Sequence, residues 1–367
     1  MKVCRSSGTS LPRRHDPTAG ALRSPVLRRI TPPLATRQED PVKRRHFLAA
    51  GPVGALAASG AVPAVAVPRH VDPQYVSHFS RQLARHVAVD MFLDARGLIR
   101  TVTGQYELIT GLARAADRSV GDDLTRVGAA YAVLAGWLHQ DVGEWASARS
   151  WHSAALVDAQ TVADPDLHAY TLANSSYLQV EMGDGRAAVG LCDRGLALSG
   201  VPPIARMQLM YQQAHGYSVV GDRAAVDRLL DAAEATARTG PEQPPAPWGR
   251  TAAGTNPLFF DIQRATCYGR LGLHAQAQRL WDRVTASVPD SARRRAGIYL
   301  ARQATSHAAL GDPDHALGLA AESARIAAET GSARHRQELE VLRRTMVPWA
   351  TGPRAEQLAH AFSPISG

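Results

Sequence analysis

From Asp72 onward, apolar residues recur every three to four positions in segments rich in Ala, Leu and Arg, without strand-like alternation. That period predicts helices. Asp72-Pro73 reads as a helix start, an aspartate N-cap with proline at the first helical position, and Gly97 is expected to separate the first two helices. Beyond them the pattern repeats. Gly143-Glu144, Gly183-Asp184, Gly221-Asp222, Gly272-Leu273 and Gly311-Asp312 each close one apolar-periodic segment and precede another. Their separations are 40, 38, 51 and 39 residues, and the long interval holds the Pro-rich stretch from Gly240 to Pro257. Five units at near-constant spacing predict stacked helical hairpins, an all-α solenoid over residues 70–350 with a helix pair in front. Residues 351–367 are expected to be a tail.

Each unit carries the chemistry of a hairpin. Glycine enters the left-handed conformation that ends a helix at little steric cost, and the acid that usually follows can cap the next helix. Five residues past each glycine stands a small or β-branched side chain: Ala148, Ala188, Val226, Ala277 and Ala316. A short side chain there lets the two helices approach. Nine past the glycine the residue varies (His152, Cys192, Leu230, Trp281, Ala320), as expected of a packing position between units.

These units resemble the tetratricopeptide repeat, slightly lengthened. Toward the C-terminus, Ser291 to Arg302 runs into Gly311-Asp312-Pro313-Asp314-His315-Ala316, and Ser332-Ala333-Arg334 leads to Leu339, Leu342 and Arg343. That layout is similar to the C-terminal half of actinobacterial helix-turn-helix regulators of the Cro/cI (XRE) type. The resemblance covers about residues 44–350 and implies a sensor body joined to a DNA reader through an Arg-Arg-x-Phe-Leu segment, here Arg44 to Leu48. The 43 residues before Arg44 are rich in Pro and lack helical period, so the reader is expected to be missing.

Charge divides the chain sharply. Residues 1–45 hold eleven Lys or Arg and three acids, a net +8 that equals the charge of the whole chain. The remainder is balanced, which argues against a phosphate-tracking groove on the folded body. Residues 1–45 read as a disordered basic leader, whose nucleic-acid contact would be weak and non-specific. Residues 46–69 form an Ala/Gly/Pro-rich linker; with Arg44, Arg45, Phe47 and Leu48 they also resemble a twin-arginine export signal. The segment before the arginines is long and the apolar run weak, so the cytoplasm is the expected compartment and export the alternative. No stretch is apolar enough to expect membrane insertion.

Composition also excludes chemistries. Lys2 and Lys43 are the only lysines, so the body cannot hold a P-loop lysine, a Schiff base or an S-x-x-K pair. Cys4, Cys192 and Cys267 are widely spaced and suggest neither disulfides nor a thiolate metal site. Asp164-Pro165-Asp166-Leu167-His168 and Asp312-Pro313-Asp314-His315 cluster acids with histidine, but each reads as a helix cap rather than a metal site. No catalytic residue, cofactor or metal is expected. The candidate site is a stripe on the first helix of each unit: Trp137, then Tyr170, Asn174 and Tyr177, then Tyr211, His215 and Ser218. Spacing of i, i+4, i+7 places each set on one face. Aromatic platforms beside Asn and His suit a peptide or protein partner held in a concave groove, with a second copy of the chain a further possible occupant. The expected function is non-enzymatic and regulatory.

Overall fold

The computed structural model describes residues 71–90, 95–239, 258–289 and 292–365. These are helical, with no strand among them. In chain order the helices are α1 (Gln74–Asp90), α2 (Ala95–Ala115), α3 (Arg118–Asp141), α4 (Trp145–Thr161), α5 (Pro165–Glu181), α6 (Gly185–Leu196) and α7 (Pro203–Val220). They continue as α8 (Arg223–Thr239), α9 (Phe259–Arg270), α10 (His274–Thr285), α11 (Arg293–Ala309), α12 (Pro313–Thr330), α13 (Ala333–Met346) and α14 (Pro353–Phe362). The leader 1–45, the segment 46–69 and the proposed export motif lie outside the described residues.

The five glycine turns form as the sequence predicts. Gly143, Gly183, Gly221, Gly272 and Gly311 all have φ between 73° and 91°. In each turn the residue after the glycine donates its N–H to the carbonyl five positions back, as Asp184 does to Gln179 and Asp312 to His307. This closes the orphan carbonyls of the preceding helix. Asp184, Asp222 and Asp312 then accept a backbone N–H from the next helix. The small residues five past each glycine are all fully buried, and those nine past are at most 4% exposed.

Two expectations fail. Gly97 lies inside α2, which starts at Ala95, so it does not separate the first two helices. A Cβ at Gly97 would meet nothing within 4 Å, so this glycine costs its helix only backbone entropy. Residues 351–367 are not a bare tail either. α14 buries Leu358, Ala361 and Phe362 in a core shared with Ala316, Ala320 and Leu339.

Packing sorts the helices into two sets. α4, α6, α8, α10 and α12 each pack against the helix preceding them. The helices α3, α5, α7, α9, α11 and α13 each touch the next of their own set, and α13 returns to touch α3. The first set thus backs a closed circuit of six inner helices. Close approach in this circuit depends on missing side chains. A Cβ on Gly297 of α11 would lie 2.2 Å from the His335 ring of α13 and 2.8 Å from Ile326.

Overpacking of this kind costs about 1–3 kcal/mol. Gly297→Ala should therefore lower the melting temperature. Gly104→Ala, in an exposed turn of α2 with nothing within 4 Å, should raise stability by about 0.5–1 kcal/mol. Equal responses of the two variants in thermal melts would contradict the packing described.

Candidate functional site

A cavity of about 430 Å³ lies at the centre of the circuit. Its wall comes from α1 and the six inner helices, and none of α4, α6, α8, α10 or α12 reaches it. The lining follows a register set by the turn glycines. In the first three units the residues thirteen, nine and six before the glycine face inward: Ala130, Leu134 and Trp137, then Tyr170, Asn174 and Tyr177, then Gln208, Gln212 and His215. Gln263 and Thr266 continue it in the fourth unit, and Ile298 and Arg302 in the fifth.

Trp137, Tyr170, Asn174, Tyr177, Tyr211 and His215 therefore all line one cavity. Ser218 does not; it is buried, and its hydroxyl donates to the His215 carbonyl at 2.7 Å. The stripe of the third unit is shifted because aromatic type, rather than distance from Gly221, aligned it with the second. Counted from the glycine, the equivalents of Tyr170, Asn174 and Tyr177 are Gln208, Gln212 and His215.

The expected open groove is closed by charge pairs that join distant parts of the chain. Asp141, at the end of α3, is 1% exposed. Its Oδ1 accepts from Ser332 Oγ at 2.7 Å and Arg334 Nε at 3.1 Å. Its Oδ2 lies 3.2 Å from Arg294 Nη1. The same Arg294 nitrogen donates to Asp90 Oδ1 at 3.2 Å, and Trp137 Nε1 donates to Asp90 Oδ2 at 3.2 Å. The Arg334 guanidinium sits 4.0 Å above the Trp137 ring and donates to the Tyr177 hydroxyl at 3.2 Å. Burial opposes the Arg334 charge, yet Tyr177 and Asp141 hold it above the ordinary arginine range. Burial pushes the Tyr177 phenol up to about 12, so it stays protonated.

A second group of pairs links α5, α7, α9, α11 and α13. Arg270 donates to Glu181 at 3.2 Å and, through Nη1, to His215 Nδ1 at 2.8 Å. A guanidinium only donates, so Nδ1 is the acceptor and Nε2 carries the proton, given to Gln263 Oε1 at 2.8 Å. Burial, then the Arg270 charge, lowers the His215 pKa to about 3. Arg302 donates to Glu338 at 2.8 Å and to Thr266 Oγ1 at 2.9 Å. Burial would raise the Glu338 carboxyl, but Arg302 outweighs it and holds the group below its ordinary range. Glu181, Thr266, Arg270, Arg302 and Glu338 also line a second cavity of about 380 Å³. These pairs partition the two spaces.

The sequence reading missed this charged framework, because its partners are up to 204 residues apart. One signal was available: every cation of the body is arginine, whose planar fork suits buried carboxylate pairing. Cys192 and Cys267 are free, and burial pushes their thiols up to about 12 and 11. Asp164 acts as the cap expected of it, accepting from the N–H groups of Asp166 and Leu167. No helix among the described residues is long and apolar enough to cross a membrane. No protein-family model matches this chain, and no curated protein is significantly similar to it.

Removing one partner of a buried ion pair strands the other charge and costs about 3–5 kcal/mol. Asp141→Ala should destabilise the protein by that amount. Adding Arg334→Ala should cost less than the sum of the single losses, since both break one contact. Strict additivity in denaturant titrations would rule out the closure. Acid should also act through histidine. Burial lowers His152 and His335 to about 4, beside His215 at about 3, against an ordinary 6.5. Between those values the unfolded chain binds protons that the folded chain refuses. Stability should therefore fall as pH drops from 6.5 toward 4, by roughly 2–3 kcal/mol for each such group. His152 has no partner for either ring nitrogen. His152→Leu should keep the fold at pH 7 and remove part of the acid loss, as read from melts across that range.

Proposed function

We propose that the chain is a tetratricopeptide-like solenoid that acts as a non-enzymatic regulatory module, holding a short extended peptide segment in its central cavity. Hairpins punctuated by identical glycine turns, with one helix of each facing a common centre, support the repeat assignment. The regulatory part rests on the resemblance of residues 44–350 to the bodies of XRE-type regulators.

One observation carries the choice of ligand. Gln208 and Gln212 line the cavity one helical turn apart, and the Oε1 of each is buried without a protein hydrogen-bond partner. An unmet buried acceptor costs about 1–3 kcal/mol, which a ligand N–H recovers. On the neighbouring helix α5, Asn174 spends its Nδ2 on the Tyr170 carbonyl at 2.8 Å, which leaves its Oδ1 as a further acceptor. Amide acceptors beside the rings of Tyr170, Tyr211 and Tyr299 match a peptide backbone with apolar side chains. The volume falls within the roughly 300–1,000 Å³ of ligand sites and admits a few residues, so a protein partner would have to offer an extended segment.

The closure divides the stripe by role. Trp137 and Tyr177 support Arg334, and their rings lie 5.6 Å apart. Asn174, Gln212 and Tyr211 face the ligand. Peptides selected from a random library on the full chain provide the test, with affinity and melting measured on the same variants. Asn174→Ala should weaken them about ten- to a hundredfold, and Tyr211→Ala about thirtyfold, with the melt of Asn174→Ala unchanged. Peptides that bind Asn174→Ala and Gln212→Leu as tightly as wild type would retire this reading.

A further inference from the structure

A second cluster of ligating side chains lies outside the cavity, at the turn from α11 to α12. His307 is in the last turn of α11, and Asp312 and His315 stand at the start of α12. Ligand atoms of all three lie within 4.8 Å of one another. Asp312 Oδ2 is 3.2 Å from His307 Nδ1 and 3.7 Å from His315 Nδ1, and the two ring centroids are 4.0 Å apart. Asp312 caps α12 with its other oxygen, Oδ1, which accepts the His315 N–H at 3.3 Å. One carboxylate thus serves the helix and faces both imidazoles.

These separations have a chemical meaning. Bonds of about 2.0 Å in a tetrahedral zinc site put neighbouring ligand atoms roughly 3.3 Å apart. We propose that His307, Asp312 and His315 bind a divalent cation of the zinc type, with water completing the coordination. His307 is buried, whereas Asp312 and His315 have side chains 51% and 55% exposed, so an ion can enter and keep a water. The carbonyl end of α11 favours a cation. The opposing N-terminus of α12 carries Asp312 and Asp314, the latter held by Arg354 at 2.8 Å. The Gln278 Nε2 lies 3.3 Å from both His307 ring nitrogens, so α10 packs a polar side chain against that ring.

The first turn provides an internal comparison. His139 and Glu144 hold the same positions relative to Gly143 as His307 and Asp312 do to Gly311, with Nδ1 and Oε2 2.7 Å apart. A histidine–acid contact is therefore compatible with these turns by itself. The position equivalent to His315 is Ser147, whose neutral hydroxyl is outside the usual zinc ligand set of Cys, His, Asp and Glu. The first turn thus offers two ligands where the fifth offers three.

Zinc sulfate titrated into the full chain after chelator dialysis, followed by calorimetry, tests the site. The expected result is a tight site of one zinc per chain in wild type and in Glu144→Gln. His315→Ala should lose it. Asp312→Asn, which keeps a capping oxygen, should weaken it more than about tenfold while melting like wild type in chelator. Cobalt(II) should give the visible absorption of a tetrahedral site in wild type but not in His315→Ala. Zinc uptake that is absent in wild type, or unchanged by His315→Ala and Asp312→Asn, would overturn the assignment.

Discussion

The buried carboxylate of Asp141 receives a hydroxyl and two guanidiniums from residues more than 150 positions away in the chain. Taking such charges from water costs several kcal/mol per ion, and their attraction recovers this only when the remaining donors and acceptors are met. Here most are. Arg294 spans Asp90 and Asp141, and Arg334 is stacked on Trp137 and bonded to Tyr177. Ser332 donates to Asp141 while its oxygen accepts the His335 N–H, so the residue that caps α13 also docks it. An apolar contact could bury as much surface, but it would leave the register of α13 against α3 loosely specified. Directional pairing sets that register, and with it the shape of the cavity.

Closure also decides which cavity residues can serve a ligand. The inner helices of the first three units present the same positions before their glycines, yet the side chains there divide into two uses. Trp137 of the first unit and Tyr177 of the second are committed to Arg334 of α13. In the second and third units the wall is Tyr170, Asn174, Gln208, Gln212 and Tyr211, neutral groups among which the two glutamines keep spare acceptors. The repeat supplies the scaffold and the closing pairs set aside part of it.

What the sequence revealed and what it hid follow from the range of the forces involved. Helical period, glycine turns and aspartate caps act over a few residues, so they were legible, as were Ala148, Ala188, Val226, Ala277 and Ala316 at the helix contacts. The stripe was legible as residue types, and five of its residues besides Trp137 line a closed cavity where a concave groove was expected. Gly97 misled because glycine marks both a helix end and a tolerated exposed site. α14 escaped because ten residues behind Gly352-Pro353 show too few turns for a period to stand out. Closure was invisible for a different reason: no local pattern links Asp90 to Arg294 or Asp141 to Arg334. Arginine-rich helices look alike whether they face water or a buried carboxylate.

The same pairs constrain what the cavity can recognise. Arg270, Arg294, Arg295, Arg302 and Arg334 line it, and four of them are paired with buried carboxylates: Arg270 with Glu181, Arg294 with Asp90 and Asp141, Arg302 with Glu338, and Arg334 with Asp141. An anion seeking one of those four would have to displace its carboxylate and leave it buried, which costs more than a surface ion pair returns. The proposed peptide would then be held chiefly by hydrogen bonds to amides and by stacking on rings, with little dependence on salt. That contrasts with residues 1–45, where the whole net charge of the chain resides and any attraction to phosphate falls steeply as salt rises. The chain thus keeps its net charge in residues 1–45, whereas the proposed peptide site is built from neutral amides and rings.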